Sequence, residues 1–236
     1  MYNNSNIKNP FKNGKLFLID KEKGDSSFYV VKKIRQAIQK KTGEKIKVGH
    51  AGTLDPLAQG LLIICVGKKT KEIYKYQNLN KTYIGEMIIG VKTKSFDLET
   101  EFYDQKTYNH ISESQIKNAT NFFKGEIKQS PPIYSAIKVK GKKLYEYARK
   151  NEKIKIPVRQ VNVMEFNINE INLPKIKFEI KCEKGTYIRS IVNDFGLKLE
   201  CGAVLSELKR TKIGKYNVKN SKKINEVINF IVNYNE

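Results

Sequence analysis

The stretch Val48-Gly49-His50-Ala51-Gly52-Thr53-Leu54-Asp55-Pro56-Leu57-Ala58-Gln59-Gly60-Leu61-Leu62 decides how the chain is read. It holds three glycines, one of the two histidines and an aspartate followed by proline, in a pattern too irregular for a helix or an alternating strand. The Pro56 ring disfavours helical backbone at the residue before it, so Asp55 is pushed toward an extended, presented conformation. Gly49, Gly52 and Gly60 let the chain take positive φ or approach a large ligand closely. The following run, Leu61-Leu62-Ile63-Ile64-Cys65-Val66, is short, apolar and rich in branched residues, as expected of a buried strand. A carboxylate on a loop anchored by such a strand is a candidate catalytic group. Taken alone, an Asp-Pro pair more often only starts a turn.

Outward from this loop the pattern mixes strands and helices. Lys15 to Asp20 reads as a strand. Ser26 caps a helix whose apolar residues Val30, Val31, Ile34 and Ile38 recur at helical spacing until Gly43 stops it. Lys81 to Gly90 reads as a long strand with Tyr83 on one face and Ile84 on the other. Ser112 to Phe123 is a helix opened by a capping box of Ser112 and Gln115. Val158–Ile171 and Ile176–Cys182 alternate like paired strands broken at Pro174. A helix follows from Lys184–Ser190 to about Leu199, and Asn225 to Tyr234 forms a last one. If Tyr187 and Arg189 lie in an extended segment, both point the same way. Residues 1–13 read as a flexible polar lead, and residues 14–236 as one domain.

Lys+Arg number 45 against 24 Asp+Glu, a net charge of +21, which makes a polyanion the first partner to consider. Three scattered cysteines, Cys65, Cys182 and Cys201, support neither a disulfide framework nor a zinc site. There is no apolar run of membrane-spanning length and no charged-then-apolar leader, so a cytoplasmic protein without a membrane partner is expected. No P-loop, dinucleotide fingerprint or nucleophile-elbow motif is present, and no metal is expected.

Four long stretches resemble the catalytic motifs of the bacterial tRNA pseudouridine-55 synthases, the TruB family. They are Gly49 to Leu62; Gln129-Ser130-Pro131-Pro132-Ile133-Tyr134-Ser135-Ala136-Ile137-Lys138 running on to Arg149; Lys184-Gly185-Thr186-Tyr187-Ile188-Arg189; and Gly202 to Arg210. Weaker matches are Lys21 to Ser27, where Glu22 replaces a proline, and Gly90 to Asp97, where Lys94 replaces an aspartate. No catalytic role is expected of the first of these two.

The resemblance implies an α+β chain with the pseudouridine-synthase fold, a mixed, mainly antiparallel sheet flanked by helices. It also implies a cofactor-free isomerisation of uridine 55 in the T-arm hairpin of tRNA. By the same resemblance Asp55 is the nucleophile and Arg189 its paired arginine. Tyr83 stacks on the base, His50 holds the flipped-out arrangement, and Tyr187 and Leu208 close the pocket. Asp97, Lys138 and Arg149 join the substrate-binding set. An arginine beside a carboxylate favours its ionised form. Lysines interleaved with tyrosines from Tyr134 to Arg149 suit RNA, whose bases stack on aromatic faces and whose phosphates meet cations. The expected assembly is a monomer, without the family's small C-terminal RNA-binding domain of the PUA type. Two other classes stay open on the residues alone: a non-catalytic RNA-binding protein, and a phosphate-handling enzyme, against which the spacing of Gly60 to Lys69 counts.

Overall fold

In the computed structural model, which describes residues 9–234, the apolar run after the Asp55 loop is a strand with every residue from Gly60 to Val66 buried. The strands used below are, in chain order, β1 (Lys15–Lys21), β2 (Val48–His50), β3 (Gln59–Val66), β4 (Lys81–Ile89), β5 (Val91–Thr93), β6 (Phe102–Gln105), β7 (Gly125–Gln129), β8 (Lys138–Val139), β9 (Lys142–Lys143), β10 (Arg159–Asn172), β11 (Lys175–Cys182) and β12 (Ala203–Ile213). Two units share them: Met1–Lys81 with Lys209–Glu236, and Thr82–Leu208. Helix accounts for 31% and strand for 35% of the described residues, and the sheet is mixed and mostly antiparallel, so the chain is α+β.

In the first unit, β3 pairs antiparallel with β1 from Lys15↔Val66 to Lys21↔Gly60, and with β2 from Val48↔Val66 to His50↔Ile64. Its beginning pairs in parallel with β12, Lys209 opposite Gln59 and Arg210 opposite Gly60. Alternation along a strand sends successive side chains to opposite faces. Leu62, Ile64 and Val66 therefore enter one core with Val30, Val31, Ile34 and Ile38 of the helix Ser27–Thr42, and with Val227 and Ile231 of the helix Ile224–Val232. Leu61, Ile63 and Cys65 enter a second core with Ala51, Tyr76 and Ile213. Full burial of such aliphatic side chains stabilises by about 1.5–3 kcal/mol each, so β3 is a firm anchor for the loop that precedes it. The Ser27–Thr42 helix begins where expected: Ser26 caps it by accepting the Tyr29 N–H, and Gly43 ends it in the left-handed region at φ 71.

The N-terminal lead differs from the expectation. Its residues 1–8 lie outside the described residues. Pro10–Asn13 is a short helix capped by Asn9, and Phe11, 1% exposed, packs into the first core. One aromatic burial outweighs the polar character of its neighbours.

In the second unit the strand order is β12-β4-β11-β10-β7, with β10 antiparallel to both β11 and β7. Phe123, Phe166, Phe178 and Phe195 meet edge-on or tilted, at centroid distances from 5.5 to 6.3 Å, between the sheet and the helix Ile188–Lys198. Such pairs add roughly 0.5–1.5 kcal/mol beyond burial. β5 with β6 and β8 with β9 form small separate hairpins. The Ser112/Gln115 capping box is present as expected. Cys65, Cys182 and Cys201 are all buried and form no disulfide. Burial pushes the Cys65 thiol up to about 11 and raises that of Cys201 as well. No helix among the described residues is long and apolar enough to cross a membrane.

Candidate active site

Asp55 sits half-buried in the irregular segment between β2 and β3, and its backbone carbonyl accepts the Ala58 N–H at 3.1 Å, closing a tight turn over Pro56 and Leu57. Three buried polar side chains of the same unit fasten this loop. The Ser27 hydroxyl donates to the Leu54 carbonyl at 3.0 Å and accepts the Leu54 N–H at 2.9 Å, immediately before Asp55. Arg210, 1% exposed, donates from Nε to the Leu61 carbonyl at 2.8 Å, from Nη2 to Gly52 at 3.0 Å and from Nη1 to Thr53 at 3.4 Å. Lys21, also 1% exposed, donates from Nζ to the carbonyls of Asp25 at 2.6 Å, Glu22 at 2.9 Å and Pro56 at 3.4 Å. The Gly24 N–H donates to the same Pro56 carbonyl at 2.8 Å.

Gly60 makes this arrangement possible. Its φ is +103, and a Cβ there would lie 2.4 Å from the Arg210 carbonyl oxygen. Only glycine lets β3 run close enough to β12 for the Arg210 guanidinium to reach both sides of the aspartate.

Two consequences can be measured. Ser27→Ala leaves the buried Leu54 N–H without its acceptor, a loss of about 1–3 kcal/mol. Thermal melting should show a drop of roughly 2–4 °C per kcal/mol for a chain of this size. An unchanged melting temperature would mean that the loop is held without Ser27. Burial lowers the Lys21 pKa from 10.5 to about 8, against the opposing pull of Asp25 and Asp55. Between those two values the unfolded chain binds more protons than the folded one, so Lys21 makes stability rise with pH over that window. The penalty of the buried ammonium is fully present below pH 8. Urea midpoints of wild type minus those of Lys21→Met should therefore climb from pH 8 toward 10.5; a flat difference would show that Lys21 does not titrate there.

His50 ends β2, half-buried, and its Nδ1 has no hydrogen-bond partner among the described residues. Burial first, then the Arg210 charge, lowers its pKa, so the ring is neutral at pH 7.

The second unit carries the other expected residues. Tyr83 is 8% exposed on β4, and Ile84 faces out at 39%, as alternation required. Arg189 is not extended: Tyr187 caps the helix with φ −97 and ψ 108, and Arg189 lies in its first turn. The guanidinium, 3% exposed, donates from Nη1 to the Ser95 carbonyl at 3.1 Å and from Nη2 to the Tyr134 carbonyl at 3.0 Å. Nη1 also lies 3.4 Å from Asp97 Oδ2. Asp97 is itself 4% exposed and its Oδ1 accepts the Glu99 N–H at 3.0 Å, so within this unit it is the counter-ion of Arg189. Gln129 fixes Tyr187 by accepting its N–H at 2.8 Å and donating to its carbonyl at 3.0 Å. Leu208 is 8% exposed at the inner part of β12. Lys138 and Arg149 lie toward the surface, Arg149 stacking 5.3 Å over the Tyr145 ring. Among the described residues no group of three or more His, Cys, Asp or Glu could hold a metal ion.

The sequence profile of the TruB family pseudouridylate synthase N-terminal domain matches residues 35–188, more than half of the chain. The chain belongs to the TruB family. The profile of the tRNA pseudouridylate synthase B C-terminal domain matches residues 189–236, and the junction of the two falls at the start of the continuous helix Ile188–Lys198. The tRNA pseudouridine synthase B of Flavobacterium johnsoniae is 50% identical over 88% of this chain and 92% of its own length. That of Chloroherpeton thalassium is 47% identical over 93% and 91%. Among solved structures, a chain of a Cbf5-Nop10-Gar1 complex superposes with a TM-score of 0.69 at 26% identity, over 93% of this chain and 55% of that one.

Within this TruB-family chain, sequence reasoning missed Arg210 and Lys21 as loop-holding residues and Ser27 as the clasp on Leu54. Both cations stand inside quoted motifs, but a buried lysine and a solvated one look alike in sequence.

Proposed function

We propose that the chain isomerises uridine 55 in the T-arm of tRNA to pseudouridine, acting in the cytoplasm as a monomer on a flipped-out base. The observation that carries this reading is the Gly52–Asp55 loop, fastened by Ser27, Lys21 and Arg210 in a chain 50% identical to a tRNA pseudouridine synthase B. Such fastening is what a carboxylate needs to meet a reacting atom with little reorganisation.

The reaction balances within one nucleoside. The N1–C1′ bond breaks, the uracil turns, a C5–C1′ bond forms, C5 gives up its proton and N1 gains one. No electron leaves or enters, so one ionised carboxylate at Asp55 suffices as nucleophilic or electrostatic centre. The target lies inside a folded loop and has to be extruded first. Tyr83 stacks on the base, His50 in its neutral form holds the extruded arrangement, and Tyr187 and Leu208 line the pocket. Arg189 serves the chemistry, with Asp97 keeping its guanidinium oriented. Lys138 and Arg149 meet RNA phosphates.

The test follows from the lost C5 proton. A T-arm hairpin carrying tritium at C5 of its uridines should release label to water in proportion to pseudouridine formed. Mapping the product should place it at position 55. Binding without release would leave the chain a non-catalytic RNA-binding protein.

A further inference from the structure

The helix Ser27–Thr42 contains no acidic residue and five bases, Lys32, Lys33, Arg35, Lys40 and Lys41, all exposed. Among the described residues none of the five is in an ion pair. Of the acids beside the helix, Asp20 and Glu22 pair with Lys223 and Glu44 with Lys12, while Asp25, just before the N-cap, acts on the buried Lys21.

The solvent face is ordered as well as charged. At helical spacing it forms two adjoining rows, Phe28-Lys32-Arg35-Gln39 and Tyr29-Lys33-Gln36-Lys40. Each row begins with an aromatic, 64% exposed for Phe28 and 40% for Tyr29, and continues into cations and amides over about 18 Å of helix. Lys33 Nζ lies 5.4 Å from the Tyr29 ring centroid, so this aromatic and its cation present one surface. The aromatic end is the end tied to the Asp55 loop, through Ser27 and Leu54.

We propose that this helix face is a second RNA-binding surface, with Phe28 stacking on an unpaired base beside the target and the two rows of cations following the phosphates of the adjoining strand. The inference rests on the enzymatic reading above. Exposed aromatics suit splayed bases and unpaired cations suit phosphates, and here the order along the helix runs from base-type contact near Asp55 to backbone-type contact away from it. A basic amphipathic helix also suits an anionic membrane surface, which the test must separate.

The experiment measures affinity of the full chain for a T-arm hairpin across a salt series, alongside tritium release. Lys32→Gln/Lys33→Gln/Arg35→Gln should weaken binding about 10- to 50-fold and flatten the log–log salt slope by roughly 0.7–0.9 for each phosphate no longer neutralised. Phe28→Ala should weaken binding about 5- to 50-fold with the slope unchanged, because stacking releases no counterion. At saturating RNA both variants should turn over within about twofold of wild type. Lys117→Gln, on a helix of the other unit, is the control for simple removal of charge and should leave affinity unaltered. Wild-type affinity and slope in the triple variant would overturn the proposal, as would unchanged RNA binding accompanied by failure to bind phosphatidylglycerol vesicles that wild type binds. If wild type itself makes no pseudouridine, the enzymatic reading fails; if wild type is active and these variants bind normally, only this surface does.

Discussion

Asp55→Asn is expected to abolish pseudouridine formation while leaving the hairpin bound. The amide keeps the size of the side chain, and the loop contacts described above are made to backbone: Leu54 to Ser27, Gly52 and Thr53 to Arg210, Pro56 to Lys21 and Gly24. None of these contacts uses the carboxylate. The fold and the RNA surface should therefore survive, with affinity within about twofold of wild type. What disappears is the nucleophile and its charge, and single-turnover rates should fall at least about 10⁴-fold, roughly 5.5 kcal/mol of transition-state stabilisation. Intact-mass analysis, reading the one-dalton change of deamidation, separates a trace of reverted enzyme from true residual activity. Turnover near wild type would remove Asp55 from the mechanism.

Arg189→Lys comes next in size. The guanidinium reaches two carbonyls and a carboxylate at once, Ser95, Tyr134 and Asp97, from a position 3% exposed. A lysine keeps the charge but concentrates its donors on one atom, which cannot span that set. We expect kcat to fall by about two orders of magnitude, close to 2.7 kcal/mol, with KM for the hairpin changed less than about threefold. The reverse split, with binding collapsed and rate intact, would make Arg189 a phosphate contact. Asp97→Asn, which removes the counter-ion and keeps the Glu99 N–H acceptor, should move kcat in the same direction by a smaller factor.

Much of the frame could be read from the residues because local rules and tertiary packing agree there. Ser26 caps, Gly43 terminates, and the four apolar positions between them face β3; the alternation at Tyr83 and Ile84 holds for the same reason. Reading failed where a long-range contact overrode local character. Phe11 is drawn from a polar lead into the core, and Asp97 turns to an arginine 92 residues away in sequence, a partner its own neighbours do not announce. Arg210 and Lys21 are the sharpest case. Burying a cation on carbonyls alone costs solvation, and nothing in a single sequence says that a loop's carbonyls will converge to offset it.

The three deeply buried thiols make the molecule a quiet background for thiol chemistry. Maleimides and spin labels react through the thiolate at accessible sulfur, and the buried Cys65, with its raised pKa, offers neither at neutral pH; Cys182 and Cys201 are equally enclosed. A reporter placed by Gln36→Cys would then be the single reactive position on the native fold. A fluorophore there could register how close RNA comes to that helix, with no need to remove the native cysteines first.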